Sequence, residues 1–238
     1  MTEIIITEKE TQINNLLYIQ STLAELIKTG GCGVSIRKTG GRAIMTVETP
    51  ECYCDVVLAE ITDKVAEVIV VKYKYDFLEQ AVRTVGLRSA EREILLISLI
   101  AADFSDDKRY VFERLKSKKE LAIDGAYNFM LQPLKKKWED VASYIPSGFM
   151  SDQLHEFVKY LSENRKKRVY VDNGRVYDAQ FRRLKRCSLL SIEKASVFKE
   201  VLLSNCGEIE LSGAIDTDDE FYLKEYFGDK IIFSGSYN

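Results

Sequence analysis

The chain has 238 residues, 46% hydrophobic and 11% aromatic, with 30% charged residues and a formal net charge of −3. A chain of this size buries about 70% of its unfolded surface, so a sizeable core is expected, while three prolines and thirteen glycines exclude collagen-like and low-complexity classes. The longest nearly unbroken apolar run, Ile94 to Ala102, is half a membrane span, and the first ten residues lack a basic leader, which predicts a cytoplasmic chain without a transmembrane segment.

Residues Glu3 to Thr7 read as a short strand, followed by a helix over 10–28 with Ile13, Leu16, Leu17, Leu23 and Ile27 on one broad face. Gly33–Lys38 and Arg42–Glu48 then read as two strands joined at Thr39-Gly40-Gly41. The glycines at 30 to 33 follow a helix and precede a strand, where they suit a helix C-cap. A phosphate loop needs the opposite order, because its free N–H groups belong to a helix start.

After Pro50 a long helix is expected through Val57, Ile61, Val65 and Val68 towards Leu78. Ser89 is the expected cap of the next helix, Ser105-Asp106-Asp107 a further helix start, and Pro133 a kink or break. Helices over 124–144 and 151–162 complete a helical middle. From Glu163 the pattern changes. Val169–Val171 and Arg175–Tyr177 flank Asp172-Asn173-Gly174, a strong hairpin signal. Ser191 is the expected start of a helix through Phe198 and Leu202, and Glu208–Leu211 a strand. Thr217 to Glu220 fits a capping box, and Lys230–Phe233 is a last strand.

The fold class expected is therefore α+β: an N-terminal helix plus hairpin (1–50), a helical region (51–164), and a C-terminal hairpin with a βαβ-like unit (165–238).

The five cysteines, Cys32, Cys52, Cys54, Cys187 and Cys206, have no zinc-ligand spacing and read as reduced thiols. His155 is the single imidazole, and a helix stacks it over Asp152 with no serine or cysteine nearby in sequence as an evident nucleophile. No catalytic residue, metal or cofactor is assigned, and a non-enzymatic protein is expected. Asp216, Asp218, Asp219 and Glu220 are the acids that carboxylate chemistry would use, although they serve equally as a helix start.

Charge patterning is the strongest local signal. Arg165, Lys166, Lys167, Arg168, Arg175, Arg182, Arg183, Lys185 and Arg186 face only Asp172 and Asp178, a local net charge of +7. Tyr170, Tyr177 and Phe181 are interleaved, with Tyr170 and Tyr177 the candidate stacking residues on a phosphate-binding or partner-binding hairpin. The segment Glu208 to Asp229 carries eight acids against Lys224, an internal counterpart to that cluster. Lys135-Lys136-Lys137 reads as a solvated helix end.

One ordered series of segments extends from about residue 55 to the end. It comprises Val65-Ala-Glu-Val-Ile-Val-Val71, Glu93-Ile-Leu-Leu-Ile97, Ile123-Asp-Gly-Ala-Tyr-Asn-Phe-Met-Leu-Gln-Pro-Leu134, Gln153-Leu-His-Glu-Phe-Val-Lys-Tyr-Leu161, Arg168-Val-Tyr-Val-Asp-Asn-Gly-Arg-Val-Tyr177 and Tyr226-Phe-Gly-Asp-Lys-Ile-Ile-Phe233. In this order they resemble the YtxC-like family of sporulation-associated proteins from endospore-forming bacteria. The resemblance implies an intracellular bacterial protein linked to spore formation, with no catalytic motif to carry over. The function expected is interaction, with a protein as the first partner class and nucleic acid as the alternative.

Overall fold

Strand β1 (Thr2–Lys9) leads through a 3-10 turn into helices α1 (Ile13–Thr22) and α2 (Ala24–Thr29), where one helix is predicted. The break at Leu23 has a local cause. The Ser21 and Thr22 hydroxyls donate to the Tyr18 and Ile19 carbonyls and compete with the helical ladder. Strands β2 (Gly33–Thr39) and β3 (Arg42–Thr49) form the expected hairpin, with Gly40 and Gly41 at φ 56° and 74°. The computed structural model of the chain describes residues 1–163, 165–190 and 194–234.

Helix α3 (Cys54–Val68) passes through a π-helical turn, Ile69–Tyr73, into α4 (Lys74–Ala81). Helix α5 (Ser89–Leu115) is one 27-residue element, which corrects the second start expected at Ser105. No glycine or proline interrupts it, and Asp107 is buried against side-chain donors instead of capping a helix. Its N-terminal cap is also not Ser89. The Arg88 N–H donates to Glu91, which reaches back from the first turn.

Strand β4 (Glu120–Ala122) was not legible in the sequence. It is followed by α6 (Ile123–Gly125), a second π-helical turn (Ala126–Met130) and α7 (Gln132–Ser143). Pro133 stands in the first turn of α7, where its missing N–H costs no intrahelical bond. After α8 (Ser151–Ser162) come β5 (Arg168–Asp172), β6 (Arg175–Tyr177) and β7 (Arg183–Leu184). Asn173 and Gly174 between β5 and β6 both have positive φ, 45° and 72°, as a tight hairpin turn requires. Helix α9 (Ser196–Ser204), β8 (Glu208–Ser212), α10 (Thr217–Phe227) and β9 (Ile231–Phe233) complete the described chain. The helix start expected at Ser191 lies outside the described residues. Asp216, not Thr217, caps α10, its carboxylate accepting from the Asp218 N–H at 2.9 Å.

The architecture is α+β, with two mixed sheets. Two compact units divide the chain, Met1–Lys74 with Ser105–Asp140, and Tyr75–Phe104 with Val141–Asn238. Each is assembled from two stretches, so the regions 1–50, 51–164 and 165–238 follow the order of secondary structure and not these units.

In the first unit the sheet order is β2-β3-β1-β4, with β1 antiparallel to β3 and parallel to β4. Alternation along β1 and β3 buries Ile4, Ile6, Met45 and Val47 with Leu16 and Ile19 of α1 and Ile61 and Val65 of α3. Several polar side chains of this unit are satisfied in groups. Arg42 makes a two-pronged contact with Asp124 at 2.7 and 2.8 Å. Glu8 accepts from the Lys9 N–H, Asn15 and Tyr73, and its carboxyl is raised above the ordinary range by burial. The rings of Tyr73 and Tyr127, one from each π-helical turn, lie 4.7 Å apart, with Trp138 beyond.

Candidate functional site

The second unit is built on the sheet β7-β6-β5-β8-β9. Strands β5, β8 and β9 run parallel through the crossovers that contain α9 and α10, whereas β6 and β7 are antiparallel additions. Val169, Val171, Val176, Ile209 and Leu211 are buried on the helix side, with Val201 and Leu202 of α9. Phe198 of α9 packs within 5.3–6.1 Å of Tyr222, Tyr226 and Phe227 of α10. The alternate residues point the other way. Register places Arg183, Tyr177, Tyr170, Glu210 and Ile232 side by side across that outer face, all half-buried or exposed.

The predicted basic cluster is split by the fold. Arg168 pairs with Glu208 at 2.6 Å and reaches Glu210 at 3.5 Å, which realises the internal pairing expected from the acidic C-terminal segment. Lys167 donates to the Ser204 carbonyl and Arg165 to that of Leu161. Arg182 pairs with Asp178. Lys185 is half-buried just after β7. Arg186 corrects the sequence expectation, because it is only 4% exposed, paired with Glu200 at 2.8 Å and set over the Phe104 ring. A buried guanidinium is not available to a surface ligand. Lys166, Arg175 and Arg183 are exposed and make no ion pair among the described residues. Asp172, directly opposite Arg175, is engaged by Asn173 and Ser212 instead.

The aromatic assignment also changes. Tyr170 is covered by Phe181, whose ring stacks on it at 4.6 Å and 22°, so the surface ring there is Phe181, 67% exposed. Phe181 has φ 57°, a left-handed conformation rare for a bulky residue. Its loop is held by Asp178, whose carboxylate accepts from the Gln180 and Arg182 N–H groups and from Arg182 Nε, each at 2.9 Å. Burial raises the Asp178 carboxyl, but these donors outweigh it and leave it below the ordinary aspartate range. The sequence signal was the interleaving of Phe181 with the basic residues. The left-handed backbone that lifts it onto the face had no signature.

The strain has a measurable consequence. Phe181→Gly and Phe181→Ala both remove the stack on Tyr170, but only glycine relieves the left-handed backbone. The glycine variant is expected to be more stable than the alanine variant by about 1 kcal/mol in urea denaturation. Equal stabilities would mean that the loop relaxes out of this conformation.

Elsewhere in the same unit, a cleft of about 430 Å³ is lined by residues that include His155, Lys159, Glu225, Asp229 and Lys230. His155 stacks on Tyr226 at 4.4 Å, with Nδ1 on the Ser151 carbonyl and Nε2 on Glu225, each at 3.1 Å. The carboxylate that meets the imidazole is thus Glu225 of α10, not Asp152. Three of the four acids considered for carboxylate chemistry are engaged in the fold. Asp216 caps α10, Asp219 accepts from the Phe198 N–H, and Glu220 pairs with Lys224. Of the cysteines, Cys54, Cys187 and Cys206 are buried, Cys32 is half-buried and Cys52 exposed. Among the described residues no group of three or more His, Cys, Asp or Glu is placed to hold a metal ion. No helix there is long and apolar enough to cross a membrane.

Compared with protein-family models, curated proteins and solved structures, the chain matches none. Geometry therefore carries the choice of recognition surface.

Proposed function

We propose that this chain is an intracellular binding protein that acts in spore formation, and that its recognition surface is the outer face of the sheet β7-β6-β5-β8-β9. The observation that carries the reading is Phe181, an exposed aromatic ring held in a costly backbone conformation by the buried Asp178 carboxylate. A strained residue persists where its surroundings over-determine it, and such positions concentrate at sites of recognition. Arg175 and Arg183, on either side of Tyr177 and without an ion pair among the described residues, support the same face. The developmental context rests on the YtxC-like resemblance of residues 55–238.

The test is made in an endospore-forming bacterium that carries the gene. Deletion is expected to lower the yield of heat-resistant spores, and chromosomal Phe181→Ala to reproduce the defect at normal protein level. An undiminished spore yield in both strains would overturn the proposal.

A further inference from the structure

We infer that the partner of this face is a single-stranded nucleic acid, its bases stacked on Phe181 and Tyr177 and its phosphates held by Arg175 and Arg183. The inference rests on the reading of the outer sheet face as a recognition surface.

Four observations converge on it. Phe181 offers one side of its ring to solvent while the other lies on Tyr170, so the platform is two rings deep and fixed in orientation. Tyr177 is the cross-strand neighbour of Tyr170, which places a second ring on the same face. Arg183 lies beside Tyr177 on β7, and Arg175 stands two residues before it on β6, so the two arginines flank the rings from different strands. Neither has a carboxylate partner among the described residues.

The strands present three arginines, Arg168, Arg175 and Arg183, and three acids, Asp172, Glu208 and Glu210, on this face, so its cations are set apart by position and not by net charge. Glu208 and Glu210 are occupied by Arg168, and Glu210 also accepts from Ser234. Charge is divided along the sheet: Glu208 and Glu210 share Arg168 on the β5–β8 side, while Arg175 and Arg183 stand on β6 and β7, with Asp172 in register opposite Arg175 and bonded to Asn173 and Ser212. Rings between unpaired cations suit a polymer that alternates planar bases with phosphates. A duplex keeps its bases stacked on one another and presents no free base face to such a platform, which favours the single strand.

The experiment is fluorescence anisotropy with a labelled twelve-nucleotide single strand of mixed sequence, as RNA and as DNA, and with the matching duplex. The full chain and two variants, Phe181→Ala and Arg175→Ala with Arg183→Ala, are compared between 50 and 200 mM salt. The wild type is expected to bind the single strand in preference to duplex. Two phosphate contacts correspond to a slope of log affinity against log salt of about −1.4. Phe181→Ala should weaken binding by about 5- to 150-fold, the range for one lost base stack. The double arginine variant, changed only at exposed positions, should flatten the salt dependence. No binding at 50 mM salt, binding unchanged in both variants, or a preference for duplex would each overturn the inference. If Phe181→Ala still lowers the spore yield while no strand binds, only the nucleic-acid assignment falls. An unchanged spore yield removes the recognition face itself.

Discussion

Asp107→Ala is expected to destabilise the protein by about 3–5 kcal/mol, the range for breaking a buried ion pair from one side. Lys74 and Asp107 are 0% and 1% exposed, with Nζ and carboxylate 2.8 Å apart. The same carboxylate accepts from Trp138 Nε1 at 2.8 Å and from Lys137 Nζ at 2.7 Å. Burial alone raises the Asp107 carboxyl, but Lys74, Lys137 and Trp138 outweigh it and hold it below the ordinary aspartate range. Alanine removes a shared acceptor, and the ammonium and indole N–H lose it inside a dry core. In a chain of this length the loss corresponds to a fall in Tm of roughly 6–20 °C. The pair Lys74→Met with Asp107→Leu removes both charges together and should recover the part of the loss due to the stranded ammonium, but not the part due to the Trp138 indole N–H, which still lacks Asp107 as acceptor. A loss below about 1 kcal/mol for Asp107→Ala, measured by urea denaturation, would show that this cluster contributes little.

Acid should reveal the second largest effect, at Glu67. This carboxylate is nearly buried and touches Tyr18 at 2.6 Å, Lys108 at 2.8 Å and Lys64 at 3.2 Å. Burial raises its carboxyl, and the two ammonium groups with the tyrosine O–H more than reverse that, bringing it from 4.5 down to about 2. A carboxylate stabilised in this way contributes fully above its unfolded value. The contribution disappears as pH falls through the folded one. The difference corresponds to about 3 kcal/mol, present at neutral pH and lost between about pH 4.5 and pH 2. Glu67→Gln is therefore expected to be less stable than the wild type at pH 7, with the gap closing progressively below pH 4.5. A gap that stays constant down to pH 2 would contradict the assignment.

These two clusters mark where the sequence stopped being readable. Asp107 sits in Ser105-Asp106-Asp107, a local pattern that reads as a helix cap, and local pattern is all that propensity can weigh. Its partners, Lys74 and Trp138, lie 33 and 31 residues away. Their joint burial turns a capping residue into an internal acceptor and lets α5 run on. The same holds at the C-terminal face. Arg168 and Glu208 are 40 residues apart, and the parallel register of β5 with β8 makes them neighbours.

What the amino-acid order determined by itself was short in range. The hairpins at Gly40-Gly41 and Asn173-Gly174 were legible because a two-residue turn needs positive φ, which glycine and asparagine accept readily. The buried stretch of α5 was legible because its apolar residues crowd every face of the helix. The α+β class followed from the order of such elements. Tertiary structure alone decided which members of the basic cluster remain open to solvent, because pairing depends on which distant acids the sheet register brings within 4 Å. It also decided that Phe181, not Tyr170, is the ring on the surface. That outcome depends on a left-handed backbone held by a buried carboxylate three residues away, and residue type alone carries no trace of it.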